Sequence, residues 1–194
     1  MPRLFTAIEI PTDIALSLSM LRGGLPGARW IDPENYHITL RFIGDIDGRT
    51  ADEIVAAFSR VERAPMQIRI RGLDAFGGNK PHSLFASIEP NAALAGLQGE
   101  LERMMQRIGL KAEGRRYVPH VTLARLRGVK GTDVANYLSL RGNFSTQPFN
   151  VERFVLFSSK DSIGGGPYIA EEHYPLSRRA TPVAAGEWRG QAAE

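Results

Sequence analysis

Two copies of one tetrapeptide, His37-Ile38-Thr39-Leu40 and His120-Val121-Thr122-Leu123, hold the side chains best suited to chemistry in this sequence. Each reads His-x-Thr-Leu with a β-branched residue at x. In an extended strand successive side chains alternate between faces, so His and Thr share one face and the aliphatic pair takes the other. Two such strands across one cleft would bring two imidazoles and two hydroxyls onto one small anion. Histidines on opposite sides of a phosphate form an acid–base pair. One takes a proton from an attacking water, and the other protonates the departing oxygen. An unperturbed pKa of about 6.5 suits both roles near neutral pH. The hydroxyls of Thr39 and Thr122 would donate to the non-bridging oxygens as charge builds on them. The layout suits the opening of a strained 2′,3′-cyclic phosphodiester, whose alkoxide leaving group needs an acid. It needs no metal, and the motif histidines have no Asp or Glu at ligand spacing, so neither a metal nor another cofactor is expected.

The elements that must position these groups follow from patterning. The chain has 194 residues and 43% hydrophobic content, enough for one domain over 1–178, built as two lobes, with a flexible tail over 179–194. A net charge of +3 is a mild bias towards anionic ligands. Without cysteine there is no disulfide and no thiolate metal site. No signal peptide and no long apolar run is recognisable, which predicts a cytoplasmic protein with no membrane contact. It is expected to be a monomer with no obligate protein partner.

Strands are predicted at 3–10, 29–31, 36–43, 66–71, 83–89, around the second motif, 149–158 and 169–174. Helices are predicted at 12–22 with Thr12 as cap, at 49–60, after the cap Asn91 to about 108, and at 133–140. The Gly/Asn/Pro-rich stretch 76–82 reads as a loop, and 164–167 as a hairpin loop. Each half of the chain runs strand, helix, motif strand, helix, strand, which suggests an internal duplication.

At the motifs the chain resembles the 2H phosphoesterases, and within them the bacterial RNA 2′,3′-cyclic phosphodiesterases, also called 2′-5′ RNA ligases. The matching stretches are 3–11, Arg29-Trp30, 33–44 through the first motif, 119–125 through the second, and the closing strands from 154 to 176. The resemblance implies an α+β bilobal fold, with two pseudo-symmetric lobes of antiparallel sheet and outer helices around a central cleft. It implies hydrolysis of RNA 2′,3′-cyclic phosphate ends, or small cyclic nucleotides, to 2′-phosphates. In that role His37 is the proton donor and His120 the proton acceptor. Thr39, Thr122 and Arg125 hold the phosphate. Two other readings remain: 2′-5′ RNA ligation in the same site, and a nucleotide-binding module without turnover.

Other residues have structural readings beside functional ones. Phe42 and Tyr117 could stack on a terminal base, but strict alternation sets Phe42 opposite the His37 face and favours core packing. Arg41 is open between a surface residue and a phosphate contact. Trp30 reads as a core or rim residue, His82 as a solvated loop residue and His173 as structural. The basic run 111–116 reads as a solvated connector, with contact to an RNA backbone as the alternative.

Overall fold

The computed structural model describes residues 3–159 and 166–177. Residues 164 and 165 of the predicted hairpin loop and the tail 179–194 lie outside them.

The strands are β1 (Arg3–Glu9), β2 (Ala28–Trp30), β3 (His37–Asp45), β4 (Met66–Ile68), β5 (Ile70–Phe76), β6 (Ser83–Ile88), β7 (His120–Leu126), β8 (Phe149–Val151), β9 (Arg153–Ser159) and β10 (Ile169–Pro175). The helices are α1 (Thr12–Ser19), α2 (Gly48–Phe58), α3 (Ala92–Arg107) and α4 (Gly131–Arg141), with a 3-10 turn at Pro33–Asn35. The described strands form an eight-stranded sheet in the order β10-β9-β1-β3-β7-β6-β5, with β2 added beside β7, and a two-stranded sheet of β4 and β8. All named pairings are antiparallel.

This order is symmetric about the centre. β9-β1-β3 on one side matches β5-β6-β7 on the other, and β4 pairs with β8. A late strand of each half joins the other half's lobe: β5 pairs with β6, and β9 pairs with β1 and carries β10 on its outer edge. Two lobes exchanged in this way are related by a pseudo-twofold that brings β3 and β7 together. The fold is the predicted α+β arrangement of antiparallel lobes with outer helices.

The helices cover the core with apolar stripes at helical spacing: Leu94, Leu97, Leu101 and Met105 on α3, and Ile54 and Phe58 on α2. Asn91 caps α3 as predicted, its side chain accepting from the Leu94 N–H at 2.9 Å. Asp47 does the same for α2 through Thr50 at 2.8 Å. Thr12 does not cap α1. It is the first helical residue, preceded by Pro11, and no side chain caps that end. Two predicted strands are each broken in two. Residues 66–71 divide between β4 and the start of β5, and residues 149–158 divide between β8 and β9, so each stretch serves two sheets. β5 also runs on to Phe76, into the stretch predicted as loop. None of the described helices is long and apolar enough to cross a membrane.

Candidate active site

β3 and β7 meet through one Cα pair, Ile38 with Val121, the x residues of the two motifs. Both side chains are fully buried. That is the apolar anchor that alternation predicts. Carried one place either way, the register sets His37 towards Thr122 and Thr39 towards His120. Beyond the pair the strands part, and β2 takes up the free edge of β7, Trp30 opposite Ala124. The parting opens a cleft. His37, Thr39, His120, Thr122 and Arg125 all line its lower compartment, a volume of about 300 Å³.

Both imidazoles are oriented by the same local device. His37 Nδ1 lies 2.8 Å from the Asn35 carbonyl, and His120 Nδ1 lies 2.7 Å from the Val118 carbonyl. A carbonyl only accepts, so each Nδ1 carries the proton and donates. Each Nε2 is left as a free base in the neutral ring, or a donor in the charged one. The acceptor is two residues upstream in both copies, so a short stretch of backbone before each strand sets the tautomer.

Aromatic rings pack against both histidines. Phe5, Tyr168 and Phe157 surround His37 at centroid distances of 5.1, 5.1 and 6.4 Å. Phe76 and Phe85 hold His120 at 4.9 and 5.1 Å. The underlying pairs are themselves stacked, Phe5 on Phe157 and Phe76 on Phe85. Burial among these rings disfavours the charged imidazolium. His37 is taken down to about 4, chiefly by this burial, with the Asn35 carbonyl pulling upward and His120 and Arg125 adding to the lowering. Burial lowers His120 in the same direction, with the Val118 carbonyl opposing and Arg125 adding. Without an anion, both rings are therefore neutral at pH 7.

Each motif strand carries an irregularity at its leucine. The β1–β3 register steps from Ala7–Thr39 to Thr6–Arg41 and leaves Leu40 unpaired. The β6–β7 register steps from Phe85–Thr122 to Leu84–Ala124 and leaves Leu123 unpaired. An extra residue exchanges the faces of everything after it. Arg125, which unbroken alternation would turn away from His120, therefore reaches the cleft. Phe42, the matching position of β3, does the same and is 52% exposed. The expectation that Phe42 packs in the core is corrected: the bulge at Leu40 puts it on the cleft face.

Arg41 is correspondingly turned inward. It is 8% exposed, and its Nε makes an ion pair with Glu102 at 2.5 Å. Its other two nitrogens donate to the carbonyls of Phe42 and Lys111, each at 2.6 Å. Arg41 is therefore not the surface residue that is one of its two readings, though it does line the upper compartment. It is a buried tie between β3 and the connector ahead of the second motif.

An upper compartment of about 420 Å³ adjoins the lower one. The two share Thr39, Phe42, Phe76, His82, Arg115 and His120. Tyr117 lines the upper part, where burial pushes its phenol pKa up. The basic connector is not merely solvated, because Arg115 and Arg116 reach this wall, Arg115 paired with Glu113 at 3.1 Å. Tyr168 and Ser83, which line the lower compartment, are not singled out from sequence, where no motif marks them. His82 is an exposed loop residue, as the sequence reads it, and its ring stacks on Phe76 at the rim of the cleft. His173 is exposed on β10 and lines neither compartment, so it packs no core. Trp30 is half-buried beside Tyr137, as expected of a core or rim residue.

A family model described as LigT like Phosphoesterase matches residues 8–85 and 87–168. The chain belongs to the LigT-like phosphoesterase family. Each matched segment holds one His-x-Thr motif, in keeping with the duplicated sheet. The RNA 2′,3′-cyclic phosphodiesterase of Aquifex aeolicus is 30% identical over 155 residues, 75% of this chain and 81% of that protein. That of Methanothermobacter thermautotrophicus is 29% identical over 183 residues, 90% and 98% of the two chains. That of Aeropyrum pernix is 33% identical over 114 residues, but the match spans 64% of its length and 58% of this chain. E. coli LigT complexed with 3′-AMP superposes with a TM-score of 0.77 at 20% identity, covering 92% of this phosphoesterase and 100% of that chain. A Thermus thermophilus protein, TT0787, gives 0.75 at 23% identity, covering 90% and 97%. At those identities the likeness bears on fold.

Proposed function

We propose that this phosphoesterase hydrolyses 2′,3′-cyclic phosphate ends of RNA, or small cyclic nucleotides, to 2′-phosphates. Water attacks phosphorus, the bond to the 3′ oxygen breaks, and one proton moves at each end. His120 Nε2 takes the proton of the water, and His37 Nε2 supplies one to the departing oxygen. The carrying observation is the matched orientation of the two rings. Both hold their proton on Nδ1 and leave Nε2 free, on strands that part around one compartment. The geometry treats the two rings alike, so the order of donor and acceptor follows from the family resemblance. An anionic phosphate in the cleft favours the imidazolium and raises both depressed pKa values, which lets the pair hold the one proton the reaction needs. Thr39, Thr122 and Arg125 hold phosphoryl oxygens, and Phe42, beside Tyr117 in the upper compartment, offers its exposed face to the terminal base. The names of the relatives support the substrate class. No step calls for a metal. The protein works in this reading as a cytoplasmic monomer, with residues 1–178 as its one domain.

The test is mass spectrometry of the products from an oligonucleotide ending in a 2′,3′-cyclic phosphate, with and without chelator. Gain of one water, with a phosphate resistant to a 3′-specific phosphatase, is the expected result. Joining to a 5′-hydroxyl RNA would favour ligation, and binding without any product would favour the non-catalytic module.

A further inference from the structure

Ser83 opens β6 and stands directly opposite Arg125 in the β6–β7 register. Opposite residues of an antiparallel pair share a face, with Cβ atoms about 4.5–5.5 Å apart. Ser83 therefore shares the cleft face with Arg125, and it lines the lower compartment with both motif histidines. Its side chain is 1% exposed, and its Oγ has no hydrogen-bond partner among the described residues. A buried hydroxyl without a partner is costly, and such groups in native proteins call for an explanation. Thr6 Oγ1 and the hydroxyls of Tyr36 and Tyr174 are also unpartnered but line neither compartment, and the unpartnered Tyr117 hydroxyl belongs to a residue that lines only the upper one. Of these five hydroxyl residues, Ser83 alone lines the lower compartment with both motif histidines.

We infer that Ser83 is a further phosphoryl contact: its hydroxyl donates to a non-bridging oxygen that Arg125 also holds. This rests on the phosphoesterase reading above. The bulge at Leu123 is what makes the contact available. It turns Arg125 onto the face of Ser83 and Thr122, so that guanidinium, serine and threonine converge from neighbouring strands. Ser83 has no acid–base or nucleophilic part. It orients the phosphate and stabilises charge on its oxygens.

The test compares Ser83→Ala, Ser83→Thr and Ser83→Cys with the unaltered protein. It uses 2′,3′-cyclic AMP for turnover, and adenosine 2′-monophosphate and inorganic phosphate for binding. A hydrogen bond to a charged oxygen predicts a loss of about tenfold in kcat/KM and in phosphate affinity for Ser83→Ala. Ser83→Thr should keep most of both, and Ser83→Cys, a weak donor of similar size, should fall between. The melting temperature of Ser83→Ala should hold or rise, since an unpaired buried polar group is removed. Turnover and phosphate affinity within twofold of the unaltered protein in Ser83→Ala would overturn the inference. So would equal losses in Ser83→Ala and Ser83→Thr, which would mark a packing defect. If the unaltered protein fails to open the cyclic phosphate, the substrate reading fails, while phosphate binding still decides the case of Ser83.

Discussion

Ile38 and Val121 face each other where the two halves of the main sheet join, and the cleft is organised about that pair. Each is flanked by a histidine and a threonine that must lie on the opposite face from its own buried side chain. Joining the halves at x of the motif therefore sets two His–Thr sets on one side of the sheet. They run in opposite directions, because the strands are antiparallel. That is the arrangement the proposed in-line displacement calls for, with a proton acceptor on one side of phosphorus and a donor on the other.

Replacing His37 or His120 by Ala should each lower kcat by roughly a hundredfold or more, the usual worth of a positioned acid or base. Neither ring is needed to fill the deep core, since both are half-buried at the cleft. The far-ultraviolet spectrum should be unchanged in both variants. Steady-state rates on a cyclic nucleotide check this, and near-normal kcat in both single variants would reject the pair.

The depressed histidines also make a prediction about stability and pH. His37 falls to about 4, and His120 is lowered too, while an unfolded chain returns both to about 6.5. Below about 6.5 the unfolded state then binds more protons than the folded one. The stability contributed by the neutral rings is full above that pH and is lost as pH falls towards 4. Melting temperature should therefore drop across that window, and His37→Gln should flatten the drop. Phosphate should reverse part of the depression, so its binding near pH 6 should take up protons. Calorimetry in buffers of different ionisation enthalpy measures that uptake.

The motif residues, the capped helix α3 and the strand content were legible because each depends on local rules: alternation, a side-chain cap, apolar spacing. What was not legible depends on partners. A bulge at Leu40 or Leu123 leaves no mark in hydrophobicity, yet it decides that Phe42 and Arg125 face the cleft while Arg41 is buried. The same limit explains why 66–71 read as one strand. Its apolar alternation is continuous, and the change of sheet after Ile68 is set by β8 and β6, far away in sequence. Ser83 was passed over because a single polar residue after a loop carries no period to place it.

The tie between Arg41 and Glu102 should behave as a buried ion pair. Both side chains are largely out of solvent, at 9% and 16% exposure. Glu102 also accepts the Glu113 N–H at 3.0 Å, so the pair pins the connector to β3 and α3 together. Removing one partner leaves an uncompensated buried charge, at a cost of about 3–5 kcal/mol. Arg41→Met and Glu102→Leu should each show that loss in urea unfolding. The double variant should recover a good part of it, the signature of direct coupling. Simple additivity of the two losses would remove the pair from the account.

Arg125 acts on both histidines at once, since its charge lowers His37 and His120 alike. That shared influence is separable from the hold on phosphate proposed for it. In Arg125→Gln both imidazole titrations, followed by proton NMR of the ring carbons, should move up, and the acid limb of kcat/KM should move up with them. Phosphate affinity should fall in the same variant. Arg125→Lys keeps the charge but not the planar fork that matches two phosphoryl oxygens. It should leave both titrations where they are and still weaken phosphate binding. If the glutamine variant moves one ring and not the other, Arg125 does not stand between them, and the symmetric placement of the two acid–base groups about one phosphate is wrong.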